Sequence, residues 1–122
     1  MTIQLTLRTL LAGLALTVGS TQAAPMSTDG GVLTDERGMT LYVFDNDKPG
    51  TSNCNGPCAA NWPPLMAGAG ESASGDYSII TRADGGRQWA YKDRPLYLWV
   101  KDAKPGDQTG DGVKGVWHTA QQ

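Results

Sequence analysis

The chain holds one histidine, one phenylalanine and two cysteines in 122 residues. A Ser/His/Asp or Cys/His catalytic arrangement would have to use His118, close to the C-terminus. Basic residues such as Arg82, Arg87, Lys92, Arg94, Lys101 and Lys104 stand singly among acids. No basic stripe forms, which argues against nucleic acid as a partner. No segment shows a 3.6-residue apolar period, so an amphipathic helix is not expected. Beyond the N-terminus no apolar run could span a bilayer.

The first two dozen residues read as a signal segment rather than as fold. Arg8 precedes the apolar core Leu10 to Val18, and Thr21-Gln22-Ala23 supplies small residues for cleavage after Ala23 or Ala24. The apolar core is shorter than the roughly 20 residues of a spanning helix. Residues 1–24 are therefore expected to be a signal peptide and residues 25–122 a single periplasmic or secreted domain. Without Arg8, nine basic residues face twelve acidic ones, a mildly acidic balance. A domain of about a hundred residues buries one core and has little room for a substrate cleft.

The chain also repeats itself. Displaced by 55 residues, Asp29-Gly30-Gly31 falls on Asp84-Gly85-Gly86, and Leu41-Tyr42-Val43-Phe44 on Leu96-Tyr97-Leu98-Trp99. Asp47 falls on Asp102 and Trp62 on Trp117. The copies run from about 29 to 65 and from about 84 to 120. Such self-similarity marks one supersecondary unit used twice, each copy covering apolar surface that the other cannot bury alone.

Strand and turn signals fill both copies. Val32 to Thr34, Thr40 to Asp45, Tyr77 to Arg82, Arg87 to Tyr91, Pro95 to Lys101 and Val116 to Thr119 read as strands. Ala83-Asp84-Gly85-Gly86 reads as a hairpin turn, because Asp-Gly and Gly-Gly tolerate positive φ. Leu41 and Val43 alternate with Tyr42 and Phe44, as Leu96, Leu98 and Val100 do with Tyr97 and Trp99. Strands apolar on both faces are expected to be buried on both; the alternative is one core face and one exposed aromatic strip available for binding. The fold class is all-β: two similar antiparallel units related by a pseudo-two-fold axis.

Two long loops, Asp45 to Asn61 and Lys101 to Gly115, each contain Lys-Pro-Gly and lead to a tryptophan. Cys54 and Cys58 lie in the first, and in an exported chain an even count favours a disulfide. The second contains Asp107, Gly110, Asp111 and Gly112, a partial match to the start of an EF-hand loop. His118 stands where that loop needs Glu. Asp102, Asp107, Asp111 and His118 are thus weak candidates for calcium. Cys54, Cys58 and His118 would be an incomplete soft-metal set. Asp47 and Asp102, equivalent by repeat, are expected to accept backbone N–H groups in their own loops.

These residues carry a resemblance. Leu41 to Asp47 fits a Tyr-x-aromatic-x-x-Asp motif, followed by Cys-x-x-x-Cys-x-x-x-Trp-Pro-Pro from Cys54 to Pro64. Leu96 to Asp102 and Gly115-Val116-Trp117-His118 follow. Together they closely resemble the bacterial secreted-repeat, or predicted lipoprotein, family with that motif. The resemblance makes Tyr42, Phe44, Asp47, Tyr97, Trp99, Asp102, Trp62 and Trp117 the motif residues. It implies an exported protein but carries no biochemical activity. No lipid-bearing cysteine follows the apolar core, a departure from many members. The expectation is a non-enzymatic cell-envelope module without a cofactor, binding an unknown envelope protein or small ligand. The alternative is an accessory redox or metal protein of calcium, copper or haem-related type.

Overall fold

The computed structural model describes residues 23–28 and 30–122. The expected signal segment therefore lies, apart from Ala23 and Ala24, outside the described residues, as does Asp29. The elements are β1 (Met26–Ser27), β2 (Leu33–Thr34), β3 (Tyr42–Phe44), α1 (Pro57–Asn61), β4 (Tyr77–Thr81), β5 (Arg87–Tyr91), β6 (Arg94–Pro95) and β7 (Trp117–Thr119). The fold is all-β with one five-residue helix and a 3-10 turn over Val113–Gly115. All strand pairs are antiparallel: β1 with β2, β3 with β7, and β4-β5-β6. The β4–β5 hairpin closes over the expected Asp-Gly-Gly turn, with the Arg82 N–H donating to the Gly86 carbonyl at 2.8 Å.

The two copies are intertwined. β3 of the first copy pairs with β7 of the second, Tyr42 opposite Thr119 and Phe44 opposite Trp117. In the reciprocal arrangement, the segment at Tyr97 and Leu98 pairs with Pro63 and Pro64 of the first copy. The pseudo-two-fold axis passes between Tyr42 and Tyr97. Each donates its N–H to the other's carbonyl, at 2.8 and 2.9 Å. The repeat extends to single bonds. Leu33 N–H to the Ala120 carbonyl matches Trp89 N–H to the Leu65 carbonyl, both 2.8 Å.

The alternation in these strands separates two cores. Leu41, Val43 and Leu96 point into an aliphatic cluster with Leu33, Leu65 and Trp89. Tyr42 and Tyr97 point into an aromatic cluster with Trp62, Trp117 and Cys54. Both tyrosines are fully buried, so the strands are covered on both faces at their centre, whereas Val100 beyond them is 51% exposed.

The strand read from Thr40 to Asp45 is shorter, at Tyr42–Phe44; Met26–Ser27 forms a strand that the sequence did not suggest, and two further elements differ. The strand expected from Pro95 to Lys101 shrinks to β6 and an isolated bridge at Tyr97. Here the chain changes partners, from Trp89 and Leu65 at Leu96 to Tyr42 and Pro64 at Tyr97. It then turns, with the Asp102 N–H on the Trp99 carbonyl at 3.1 Å. The first long loop, read without secondary structure, contains α1. Pro57 at its first position presets φ, and the preceding Gly56 has φ 55°.

Because each copy's ladder is completed by the other, neither half should fold alone. Fragments 23–72 and 73–122 are expected to be unfolded separately and to regain β structure when mixed at equimolar ratio. Circular dichroism and tryptophan emission check this. A folded isolated fragment would contradict the intertwined topology.

Candidate functional site

The aromatic cluster is an ordered column. Phe44 stacks on Trp117 at 4.2 Å between ring centroids, Trp117 on Trp62 at 3.8 Å, and Trp62 on Trp99 at 3.9 Å. Tyr42 meets Trp62 edge-on at 5.4 Å, and Tyr97 meets Trp117 edge-on at 5.2 Å. The pseudo-two-fold axis exchanges Phe44 with Trp99, Trp117 with Trp62, and Tyr97 with Tyr42. The inner rings are buried, whereas Phe44 and Trp99 are half-buried. The second long loop runs tight against the column. A Cβ on Gly110 would stand 2.8 Å from Trp62 Cη2 and 3.0 Å from Trp99 Cδ1, which makes glycine the residue that fits there.

The two tyrosines exchange aspartates between copies. Tyr42 donates its hydroxyl to Asp102 Oδ2, and Tyr97 to Asp47 Oδ2, each at 2.6 Å. The other carboxylate oxygens brace their own loops, as the sequence suggested. Asp47 Oδ1 accepts the Asn53 N–H at 2.7 Å. Asp102 Oδ1 accepts the Thr109 N–H at 3.0 Å and the Thr109 hydroxyl at 2.6 Å. The exchange across copies escaped the sequence reading. Its signal was the pairing of two equivalent antiparallel strands, which carries each tyrosine over the other copy's loop.

Arg82 was also missed. It is buried, and its guanidinium reaches Ser52 Oγ at 3.0 Å, Gln88 Oε1 at 2.7 Å and the Cys54 carbonyl at 2.7 Å. Ser52 Oγ lies 2.6 Å from the Tyr97 hydroxyl. A guanidinium only donates and a carboxylate only accepts, so the chain has one direction. Arg82 donates to Ser52, Ser52 to Tyr97, and Tyr97 to Asp47. Burial, the largest cause, raises the Asp47 pKa against the opposing hydrogen bonds and the Arg82 and Arg94 charges. Burial and the aspartate partner raise both tyrosines well above the ordinary phenol value.

The remaining sequence candidates are dispersed. Cys54 and Cys58 form a disulfide. His118 Nε2 faces Asp45 Oδ2 at 2.7 Å on the surface. Asp107 accepts the N–H groups of Ala103 and Lys104 and pairs with Lys104 Nζ at 2.9 Å. The Lys104 hydrogen bond, the largest cause, lowers its pKa. Asp111 Oδ1 accepts the Thr119 N–H at 3.1 Å. Asp102, Asp107, Asp111 and His118 are not brought together, and no group of three or more such ligands stands at metal-holding spacing among the described residues.

Both ends of the column open into cavities that share the repeat's symmetry. Phe44 lines one of about 350 Å³ with Pro49, Pro95, Lys48, Lys92 and Arg94, and with Asp45, Asp47 and Asp93. Trp99 lines another of about 360 Å³ with Met39, Leu98, Pro105, Arg37 and Asp102.

A family model described as a secreted repeat of unknown function matches residues 23–66 and again residues 78–121. The chain belongs to this family. No curated protein and no solved structure matches it. The two matched segments of this secreted-repeat protein begin 55 residues apart, the displacement found in the sequence. Each contains one tyrosine of the aromatic cluster, Tyr42 in β3 or Tyr97 at an isolated bridge, and one tryptophan of the inner stack. Among the described residues no helix is long and apolar enough to cross a membrane.

Two predictions follow from the tyrosine–aspartate exchange. Asp102→Asn is expected to cost about 1–3 kcal/mol in chemical denaturation, because the amide presents an N–H₂ to groups that donate. Asp47→Asn should lie at the lower end of that range, since it removes a charge that burial disfavours. The second concerns alkaline pH. The raised folded-state pKa of each tyrosine stabilises the fold fully below the unfolded value of about 10. Above it the unfolded tyrosines release protons that the folded ones keep. Stability then falls by up to about 1.4 kcal/mol per pH unit for each tyrosine. Melting curves from pH 8 to 11 should show that fall, and a Tyr42→Phe, Tyr97→Phe variant should show a flatter one.

Proposed function

We propose that this secreted-repeat protein is a non-enzymatic module of the cell envelope that binds a partner through the cavity at Phe44. The carrying observation is the half-buried Phe44 ring, which lines one cavity with Pro49 and Pro95, with Lys48, Lys92 and Arg94, and with Asp45, Asp47 and Asp93. An aromatic floor with a mixed-charge rim suits an apolar side chain flanked by charges, the usual anatomy of a binding hot spot. The floor is rigid because Phe44 rests on the tryptophan stack and the rim on the β5–β6 turn. Preorganisation of this kind lowers the ordering cost of association.

The module reading is supported by chemistry elsewhere in the fold. The Tyr–Asp pairs have their hydrogen-bonding capacity directed inward, and the disulfide braces the first long loop beside Arg82. The test is affinity capture from an envelope fraction after chemical crosslinking. A specific partner should be retained when Cys54 and Cys58 become serine in a folded protein. It should be lost on charge reversal by Lys92→Glu together with Arg94→Glu. A partner indifferent to the charge reversal would count against the Phe44 cavity. Loss with the serine variant alone would favour a redox role.

A further inference from the structure

The tryptophan column has a geometry that burial alone does not ask for. Trp62 and Trp117 are parallel within 3° at a centroid distance of 3.8 Å, face to face in van der Waals contact. Aromatic quadrupoles favour offset or edge-on contacts with centroids about 4.5–7 Å apart. The fold thus holds three indoles in continuous π contact, from the half-buried Trp99 through Trp62 to Trp117. The fourth ring, Phe44, is far harder to oxidise than an indole; Trp99 is the most exposed indole of the column, and Trp62 and Trp117 border a further cavity of about 420 Å³ while staying buried.

We propose that Trp99, Trp62 and Trp117 form a one-electron relay that delivers an oxidising equivalent from the Trp99 cavity to Tyr42 and Tyr97. The oxidant is an outer-sphere one-electron acceptor of high potential, such as an oxidised metal complex or an inorganic radical. It takes one electron from Trp99 and is itself reduced by one. An electron from Trp62 then fills the Trp99 vacancy, and Trp117 exchanges electrons with Trp62 in the same way. Tyr42 finally gives an electron to Trp62, or Tyr97 to Trp117. Its phenolic proton passes 2.6 Å to Asp102 or Asp47. One electron leaves the protein in total, and the proton stays inside as a carboxylic acid. A one-electron donor at Trp99 reverses every step.

Two features give the relay its direction. The Trp99 indole N–H is buried and has no hydrogen-bond partner. An oxidised Trp99 therefore has no adjacent base to take its proton, stays cationic and remains a strong oxidant. Each tyrosine, by contrast, has a carboxylate in hydrogen-bond contact, so its oxidation and proton loss occur together. Burial raises the Asp47 pKa, which makes that carboxylate a better proton acceptor. This relay is independent of partner binding at Phe44, because it begins at the opposite end of the column.

The test uses azide radicals generated by pulse radiolysis on the purified folded protein. Tryptophan-radical absorbance is expected to decay as tyrosyl absorbance grows, at a first-order rate independent of protein concentration. Trp99→Phe should lower the yield of this growth several-fold, because the entry ring is gone while the later hops remain. It should leave the fold intact, because the symmetry-related position already holds Phe44. Tyr42→Phe with Tyr97→Phe should abolish the growth. If that double variant fails to fold, the two single variants must each lower the tyrosyl yield. Growth unchanged in the tyrosine variants would place the radical on Tyr77 or Tyr91 and overturn the proposal. Growth unchanged in Trp99→Phe, or decay that is only bimolecular, would overturn it as well.

Discussion

The structure depends on the contact in which Tyr42 and Tyr97 meet across the pseudo-two-fold axis. Two backbone hydrogen bonds join them, and both side chains enter the same aromatic cluster, each ending on the other copy's aspartate. Removing either tyrosine would take away a backbone neighbour's cover, a ring contact and a carboxylate partner together. The long loops hang from this point. Asp47 and Asp102 each hold a loop N–H with one oxygen and a tyrosine with the other, so strand pairing and loop shape are set by the same four side chains.

The repeat is symmetric in its frame and asymmetric in its chemistry. One long loop is braced by the Cys54–Cys58 disulfide and by Arg82 through Ser52. The other relies on Thr109 and on the close approach of Gly110 to the indoles. One end of the column is Phe44 and the other is Trp99. A duplicated unit tolerates such divergence because each copy's ladder is satisfied by the other, leaving the outer rings and loops free to differ. The Phe44 cavity carries a rim of both charges, while the Trp99 cavity is bordered by Arg37 and Asp102.

Much of the architecture was legible in the chain. The displacement of 55 residues located the equivalent strands, and their two-faced apolar pattern located buried positions. Strand bounds were less legible. Pro95 to Lys101 has the composition of a continuous strand, yet the chain changes partners between Leu96 and Tyr97. No local preference encodes that change. Arg82 gave no signal either, because a single arginine near a hairpin normally lies on the surface. Its burial is tolerated only because Ser52, Gln88 and the Cys54 carbonyl converge on it from other segments. The candidate ligands Asp102, Asp107, Asp111 and His118 looked related through their spacing, but each is engaged by a different neighbour.

The sequence by itself determined the duplication, the all-β character and the bracing of each loop by its aspartate. These rest on local rules: alternation, turn residues, and short acids accepting nearby N–H groups. Only the tertiary structure decided that the copies interlock, that each tyrosine uses the other copy's aspartate, and that four rings form a continuous column. Those facts depend on how two distant segments cross. The crossing is selected by simultaneous burial of both faces of the tyrosine strands, a condition no single segment can express.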